Sequence, residues 1–155
     1  NHCHFTIFGP EINGSKSKLK EIIKYYDLQD IVVVKDAIFD DEKAEKLLES
    51  DFFILTSRFE GHPMGLIEAL SYGLPSLLTS GANMPDEIRE FDAGWTADIL
   101  ADSIQSALKE VLNDKYNLHR KSQNALKLSE QYNWDEIAKQ SHDIYSSLLE
   151  NGRLR

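Results

Sequence analysis

Short apolar runs alternate with amphipathic stripes along much of the chain. A continuous run of β-branched or aromatic residues is typical of a strand in a parallel sheet, and apolar positions three and four apart indicate a helix. The predicted strands are Phe5–Gly9, Ile31–Val34, Phe52–Thr56, Ser76–Thr79 and Gly94–Ala97. The second of these is expected to be buried on both faces. The alternation predicts an α/β fold with a parallel sheet covered by helices on both faces.

Helical spacing occupies the segments between the predicted strands. Stripes at Leu19–Tyr26 and Ala44–Leu48 mark two helices, the second following an acidic loop at Asp40–Glu42. A third helix is predicted from about Pro63 to Tyr72, with Gly73 as its C-terminal cap, and a fourth begins near Asn83.

The last third of the chain is predicted to be helical. Residues 101–150 form C-terminal helices, the last opened by Asn133 as N-cap with Glu136 at the third helical position. The polar tail of residues 151–155 is expected to fray. We expect one domain of residues 1–155, because 155 residues suffice for a single core.

Composition narrows the class of partner. The chain is 41% apolar and 28% charged, as in ordinary globular proteins, and its net charge of −9 argues against a nucleic-acid footprint. Its one cysteine, Cys3, excludes an internal disulfide and is interpreted as an inert core thiol in a strand. No apolar run approaches the ~18 residues of a membrane span, and no signal peptide is recognisable at the start.

The segment Ser57–Leu70 carries the clearest candidate site. Glu60 and Glu68 lie eight positions apart around a Pro/Gly turn between a predicted strand and a predicted helix. In open α/β sheets this junction is where ligands bind, and a helix N-terminus suits phosphate. Gly61 and Gly65 allow a ligand to approach the backbone closely.

Three readings of the two glutamates compete. Glu68 is a solvated helix residue in the simplest of them, but its apolar neighbours indicate a partly buried position. The pair would be the acid and base of a glycoside hydrolase in the second, which requires carboxylates facing each other across one bond. In the third, the pair binds the two ends of an activated sugar, and their spacing around the turn favours this reading.

Neighbouring residues add weaker candidates. His62 invites a metal or general-base role, yet no second ligand shares a metal-binding spacing with it, so we interpret it as a residue that shapes the pocket. Arg58 is equally well read as a phosphate contact or as a surface cation. His2 and His4 alternate with Cys3, which places the histidines on the other face of a strand and weakens a metal site. Trp95 and Trp134 are interpreted as packing residues.

The segment from Glu60 to Glu68 resembles the E-x7-E motif of retaining glycosyltransferases with the GT-B fold, specifically family 4. The similarity extends over roughly Phe5 to Tyr145. It rests on residues that occur in the family's order: Phe8–Gly9, the apolar strand before Ser57, Glu60–Gly61, Pro63, Gly65, Glu68–Ala69, Gly73–Pro75 and Gly94. In that family two Rossmann-like domains face each other across a cleft, and this chain is similar to the C-terminal, donor-binding domain.

The resemblance implies roles for the site residues. Glu60 would act as the catalytic-site carboxylate that contacts hydroxyls of the transferred sugar, and Glu68 would bind the ribose hydroxyls. The intervening donor-binding residues would meet the sugar and the pyrophosphate; they are Gly61, His62, Pro63, Met64, Gly65 and Leu66. Lys35, in the loop Lys35–Ala37, and Arg58 would contact the base or the phosphates. The co-substrate would be a UDP- or GDP-sugar, and neither a metal nor another cofactor is expected.

The chain also departs from the family pattern. Family members begin this domain with one more strand and helix, which carry an Arg/Lys clamp for the pyrophosphate, and nothing before Phe5 supplies them. An N-terminal acceptor domain is also absent. Loss of that strand from the middle of the sheet would leave two unpaired strand edges. We therefore expect a fragment of a larger two-domain enzyme, inactive alone, whose sheet closes up or borrows a strand in an oligomer.

The function expected on this basis is donor binding in a glycosyltransferase of hexosyltransferase type that works with retention. Its acceptor would be a polysaccharide, a glycolipid or a protein. The parent enzyme would be cytoplasmic, and a peripheral location at the membrane is compatible with this expectation. Two alternatives remain open: a sugar-nucleotide epimerase of the same architecture, and a non-catalytic partner of a glycosyltransferase.

Overall fold

The computed structural model describes residues 3–150 of the chain. The strands are β1 (Phe5–Phe8), β2 (Val32–Lys35), β3 (Phe53–Leu55), β4 (Ser76–Thr79) and β5 (Gly94–Ala97). The helices are α1 (Ser15–Tyr25), α2 (Asp40–Leu48), α3 (Met64–Ser71), α4 (Pro85–Glu90), α5 (Ala101–Asn113), α6 (Leu118–Ser129) and α7 (Trp134–Glu150). All five predicted strands are present, with ends shifted by at most one residue. The histidine at position 2 and the predicted frayed tail lie outside the described residues.

The strands form two separate parallel sheets. β1 pairs with β2, and β3, β4 and β5 pair in that order. The chain correspondingly divides into two compact units, the first ending at Lys46 and the second beginning at Leu47. Within the described residues, β1 has β2 as its one hydrogen-bonded neighbour and β3 has β4. Both strands therefore keep an unpaired edge within their own sheets.

The first unit packs α1 against its two-stranded sheet. Ile23 of α1 is buried, whereas Ile22 and Tyr26 of the predicted stripe are exposed. The expectation that the β-branched run is buried on both faces is wrong, because Val33 is 44% exposed while Val32 and Val34 are half-buried. A sheet of two strands in this unit shields one face of β2 better than the other.

The acidic segment before α2 is a second correction. Asp40, Asp41 and Glu42 form the first turn of α2 rather than a loop. Negative side chains in the first turn interact favourably with the positive end of the helix dipole, so the acidic residues favour this helix start.

The second unit contains the main core, which lies on both faces of its sheet. Leu78 of β4 packs in a cluster with residues of α3, α4 and α6, and Leu77 packs with β5 and α5 in another. Successive residues of a strand point to opposite faces, so each face of β4 contributes to a different cluster. All four residues of β4 are buried. This confirms the predicted covering of a parallel sheet by helices on both faces.

The end of α3 follows the prediction closely. Gly73 has a φ of 73°, a left-handed conformation that glycine adopts without steric cost. Its N–H donates to the Leu70 carbonyl over 2.9 Å, and the Leu74 N–H donates to the Ala69 carbonyl over 3.0 Å. This pair of bonds is the Schellman cap expected at this glycine.

The last helix begins as predicted but packs differently. The Asn133 side chain accepts a hydrogen bond from the Glu136 N–H over 2.8 Å, which confirms the N-cap. Trp134 is 82% exposed, so its interpretation as a packing residue is wrong, and Ile144 and Tyr145 are exposed as well. The amphipathic pattern predicts the helix, but it does not tell which surface covers the apolar face.

Cys3 is the remaining correction. It is half-buried and lies before β1, so it is neither fully buried nor part of a strand. Trp95, in contrast, is buried at 8% exposure, in agreement with its predicted packing role.

A buried lysine ties α6 to the start of β5. Lys121 is only 6% exposed, and its Nζ donates to the Asp92 carboxylate over 2.5 Å and to the Gly94 carbonyl over 3.0 Å. The same ammonium lies 4.9 Å from the ring centroid of Trp95, a cation–π geometry. Burial lowers the pKa of Lys121, and the charge of Arg120 lowers it further. The Asp92 carboxylate, which also pairs with Arg120, contacts this charge directly, and the negative charge of Asp114 partly offsets the lowering of the Lys121 pKa.

We predict that Asp92→Asn lowers the free energy of unfolding by about 1–3 kcal/mol, because it removes the charge partner of a buried ammonium. Asparagine tolerates the left-handed backbone at this position, where φ is 51°. Chemical denaturation of this variant and of Asp98→Asn, a change at an exposed aspartate, measures the effect. Equal stability of the two variants would contradict the compensating role.

Candidate functional site

The candidate site lies where β3 leads through a loop into α3. β3 ends at Leu55, the loop covers residues 56–63, and α3 begins at Met64. β3 and β4 are parallel, with Leu55 opposite Leu78. Their carboxyl ends therefore lie at the same edge of the sheet, so the loop after β4 is adjacent to the loop that carries Glu60.

A hydroxyl group orients the first glutamate. Ser57 Oγ donates to Glu60 Oε2 over 3.0 Å, and the Glu60 side chain is half-buried. Glu68 lies one turn into α3 and is half-buried too, at the border of a helix whose Leu66, Ala69 and Leu70 are completely buried. The carboxylates thus stand before and after the helix start, as the sequence predicts.

Residues after β4 hold the loop in place. The Thr79 hydroxyl donates to the Ser57 carbonyl over 2.6 Å, and the Asn83 side-chain amide donates to the Gly61 carbonyl over 2.5 Å. Gly81 lies so close to this loop that an added Cβ would collide with the carbonyl groups of Ser57 and Arg58. None of these three residues is predicted from the sequence to lie at the site. The signals that point to them are the parallel order of the strands and the Ser-Gly-Ala-Asn turn.

The first turn of α3 offers fewer free amides than its sequence suggests. The Met64 N–H donates to the His62 carbonyl and the Leu66 N–H to the Pro63 carbonyl, each over 2.9 Å, and proline has no N–H. Among the described residues of this segment, the amides that remain candidates for an anionic ligand are those of Gly61, His62 and Gly65. Each of them lies between the two glutamates.

Gly61 in the loop and Gly65 in the first turn of α3 leave open space beside the backbone. An added Cβ at Gly61 would meet no atom within 4 Å, and one at Gly65 would approach only Phe53 Cζ, at 3.9 Å. Neither glycine has a positive φ. Packing within the protein therefore does not require glycine at either position, which leaves room for a ligand against the backbone.

The other residues of the segment divide by burial. The side chains of Pro63 and Leu66 are buried, so only their backbone can reach a ligand, whereas Arg58, His62 and Met64 are exposed. The His62 ring lies 6.2 Å from the Tyr132 ring, centroid to centroid. Burial raises the pKa of Tyr132, and the charge of Glu87 adds to the shift. These contacts fit His62 as a residue that borders the site.

Lys35 lies in the first unit, where it lines an open cavity of about 460 Å³. The lining residues are Lys16, Lys20, Val34, Lys35, Asp36, Ala37, Ile38 and Glu42. Lys16 forms an ion pair with Asp36, and this hydrogen-bonded charge lowers the pKa of the Asp36 carboxyl. Lys35, the last residue of β2, and the two residues after it therefore form a wall of a cavity that three lysines and two acidic side chains line.

Between residues 3 and 150, no three histidine, cysteine or acidic side chains are grouped as metal ligands would be. None of the helices in this part of the chain has the length and hydropathy needed to cross a membrane.

Comparison with known proteins identifies relatives that match most of the chain. The family model described as "Glycosyl transferases group 1" matches residues 1–129. The amylovoran biosynthesis glycosyltransferase AmsD of Erwinia amylovora is 30% identical over 130 residues, covering 83% of this chain and 36% of that protein. The chain thus spans between a third and two fifths of the length of the curated relatives that match most of it.

Solved structures with low sequence identity share the fold. Sucrose-phosphate synthase of Thermosynechococcus elongatus superposes with a TM-score of 0.78 at 18% identity, covering 94% of this chain and 38% of that one. The C-terminal domain of the group 1 family protein LpcC of Francisella tularensis gives 0.65 at 20% identity, covering 79% and 64%. The expected α/β architecture of the C-terminal half of a GT-B fold is thereby confirmed.

We predict that Gly81→Ala lowers the free energy of unfolding by about 1–3 kcal/mol, because its methyl group would displace backbone carbonyls. Gly61→Ala, which meets open space, serves as the matched control and is expected to leave stability unchanged. Thermal and chemical unfolding of both variants measure the difference. An alanine tolerated equally at both positions would show that the loop is not packed against Gly81.

Proposed function

Because the chain belongs to the glycosyl transferases group 1 family, we propose that it binds the nucleotide-sugar donor of a retaining glycosyltransferase of family 4. The observation that carries the proposal is the arrangement of Glu60 and Glu68 on either side of a glycine-lined helix start. Such an arrangement suits a ligand with hydroxyl groups at both ends and phosphates in the middle.

The segment from Glu60 to Glu68 offers a chemically matched group for each part of a nucleotide sugar. Glu60, oriented by Ser57 over 3.0 Å, accepts hydrogen bonds from hydroxyls of the transferred sugar. The pyrophosphate lies against the amides of Gly61 and Gly65 at the positive end of α3. Glu68 accepts hydrogen bonds from the ribose hydroxyls, and a charged acceptor makes these bonds strong.

Catalysis in this proposal depends on positioning and on stabilisation of the leaving diphosphate. The α3 dipole and the exposed cation Arg58 supply positive potential at this site. No metal takes part in the proposed mechanism. The donor is a UDP- or GDP-sugar, the transfer proceeds with retention, and this chain alone is inactive.

The acceptor is bound by an N-terminal domain of a longer parent protein. We propose a cell-surface polysaccharide as the acceptor class, because the relative AmsD is named for amylovoran biosynthesis. The parent enzyme would act on the cytoplasmic side of the membrane, with nucleotide sugars as its donors.

A donor screen tests the proposed function. The full-length protein is incubated with a panel of UDP- and GDP-sugars and a polysaccharide acceptor, and the products are identified by mass spectrometry. Release of nucleoside diphosphate together with a glycosylated acceptor is expected for one donor. An epimerised nucleotide sugar, or binding without turnover, would contradict the transferase proposal in favour of an epimerase or a non-catalytic partner.

We predict that Glu68→Ala weakens nucleoside diphosphate binding roughly 10- to 100-fold, because hydrogen bonds to a charged group contribute about 1.5–3 kcal/mol. Isothermal titration calorimetry of the full-length protein measures the affinity. Glu90→Ala, at an exposed glutamate in α4, is the matched control. Unchanged affinity in a folded Glu68→Ala protein would refute the ribose role.

A further inference from the structure

Thr79 at the end of β4 and two residues of the following connection converge on the loop that carries Glu60. The buried Thr79 hydroxyl donates to the Ser57 carbonyl over 2.6 Å, and the Asn83 amide donates to the Gly61 carbonyl over 2.5 Å. Gly81 makes room between them for the backbone of residues 57 and 58. We call Thr79, Gly81 and Asn83 the loop clamp.

The clamp contacts the loop on both sides of Glu60. Thr79 fixes the carbonyl of Ser57, three residues before Glu60. Asn83 fixes the carbonyl of Gly61, directly after Glu60. Ser57 is also the residue whose hydroxyl orients the Glu60 carboxylate. A shift of the Ser57 backbone would therefore move both the peptide that leads to Glu60 and the donor that holds its side chain.

Thr79 and Asn83 adopt arrangements that cost free energy unless their hydrogen bonds to the loop are formed. Thr79 is 0% exposed, and a buried hydroxyl without a partner loses its hydrogen bond to water without replacement. Asn83 has a φ of 61°, in the left-handed region that few residues other than glycine, asparagine and aspartate adopt readily. This conformation ends the short turn Ser80–Ala82 in the arrangement from which the Asn83 amide reaches Gly61.

We propose that Thr79, Gly81 and Asn83 are positioning residues that hold Glu60 against the transferred sugar. The inference rests on the proposed function, because it assigns the clamp to the sugar end of that same site. Glu68 lies on α3, outside the clamped segment. Gly61, whose amide meets the diphosphate, lies inside that segment. The clamp should therefore affect binding of the transferred sugar more strongly than recognition of the nucleotide.

The test separates a positioning role from a structural one by comparing two ligands. Thr79→Val removes the hydroxyl at constant shape, and Asn83→Gly keeps the left-handed backbone but removes the amide. In the full-length protein, each is expected to lower kcat/KM for the nucleotide sugar about 10- to 100-fold, because a displacement of about 1 Å at a catalytic group costs up to about 100-fold. The loss of affinity for the nucleoside diphosphate, measured by calorimetry, is expected to be smaller than this loss.

Controls link the effect to the clamp. Thr79→Ser, which restores a hydroxyl, is expected to recover most of the activity lost in Thr79→Val. Ser80→Ala, at an exposed hydroxyl in the same turn, is expected to behave as the unmodified protein. If Thr79→Val proves too unstable to assay, Asn83→Gly decides the question, because its side chain is exposed.

Combination with Glu60→Gln distinguishes failure of the inference from failure of the proposed function. If the clamp acts through Glu60, Asn83→Gly adds little to the loss already caused by Glu60→Gln. Full activity of the clamp variants beside an inactive Glu60→Gln would overturn the clamp alone. Full activity of Glu60→Gln would overturn the proposed role of the glutamate itself. Equal loss of nucleotide and nucleotide-sugar binding in clamp variants would show a merely structural role.

Discussion

Parallel pairing of β3 with β4 is the constraint on which the candidate site depends. With Leu55 opposite Leu78, both strands end at one edge of the sheet, and the segments that follow them meet there. The contact between Thr79 and the Ser57 carbonyl joins positions 22 residues apart in sequence. An antiparallel arrangement would send the two segments to opposite edges, and the loop that carries Glu60 would lose this support.

β4 is the most completely buried of the described strands. Each of its residues is buried, and its alternate side chains contribute to the two clusters that attach α3 and α5 to opposite faces of the sheet. The strand therefore carries the core and, at its last residue, a hydroxyl that points to the site. The hydrogen bond that satisfies the buried Thr79 hydroxyl thus also holds the backbone of the loop that carries Glu60.

Local signals explain which parts of the fold can be predicted from the sequence. The strand Ser76–Thr79 and the cap at Gly73 are predicted to the residue, because an apolar run and a left-handed glycine are properties of neighbouring positions. The separation of Glu60 and Glu68 by a helix start follows from the same kind of signal. The acidic start of α2 is missed, since charge alone does not distinguish a loop from a first helical turn.

Long-range contacts explain what cannot be predicted. Asn83 is read as a helix start, and its contact with Gly61 depends on which strands are neighbours. Trp134 lies in a correctly predicted helix, yet its 82% exposure depends on what packs beside that helix. The pairing of Lys121 with Asp92 is likewise invisible in a sequence where both residues look like ordinary surface charges.

A crystal structure of the full-length protein with an intact nucleotide sugar tests the central claim most directly. The account predicts the transferred sugar at the Glu60 carboxylate, the diphosphate against the Gly61 and Gly65 amides, and the ribose hydroxyls at Glu68. A donor bound with its ribose at Glu60, or bound away from the junction of β3 and α3, would contradict it.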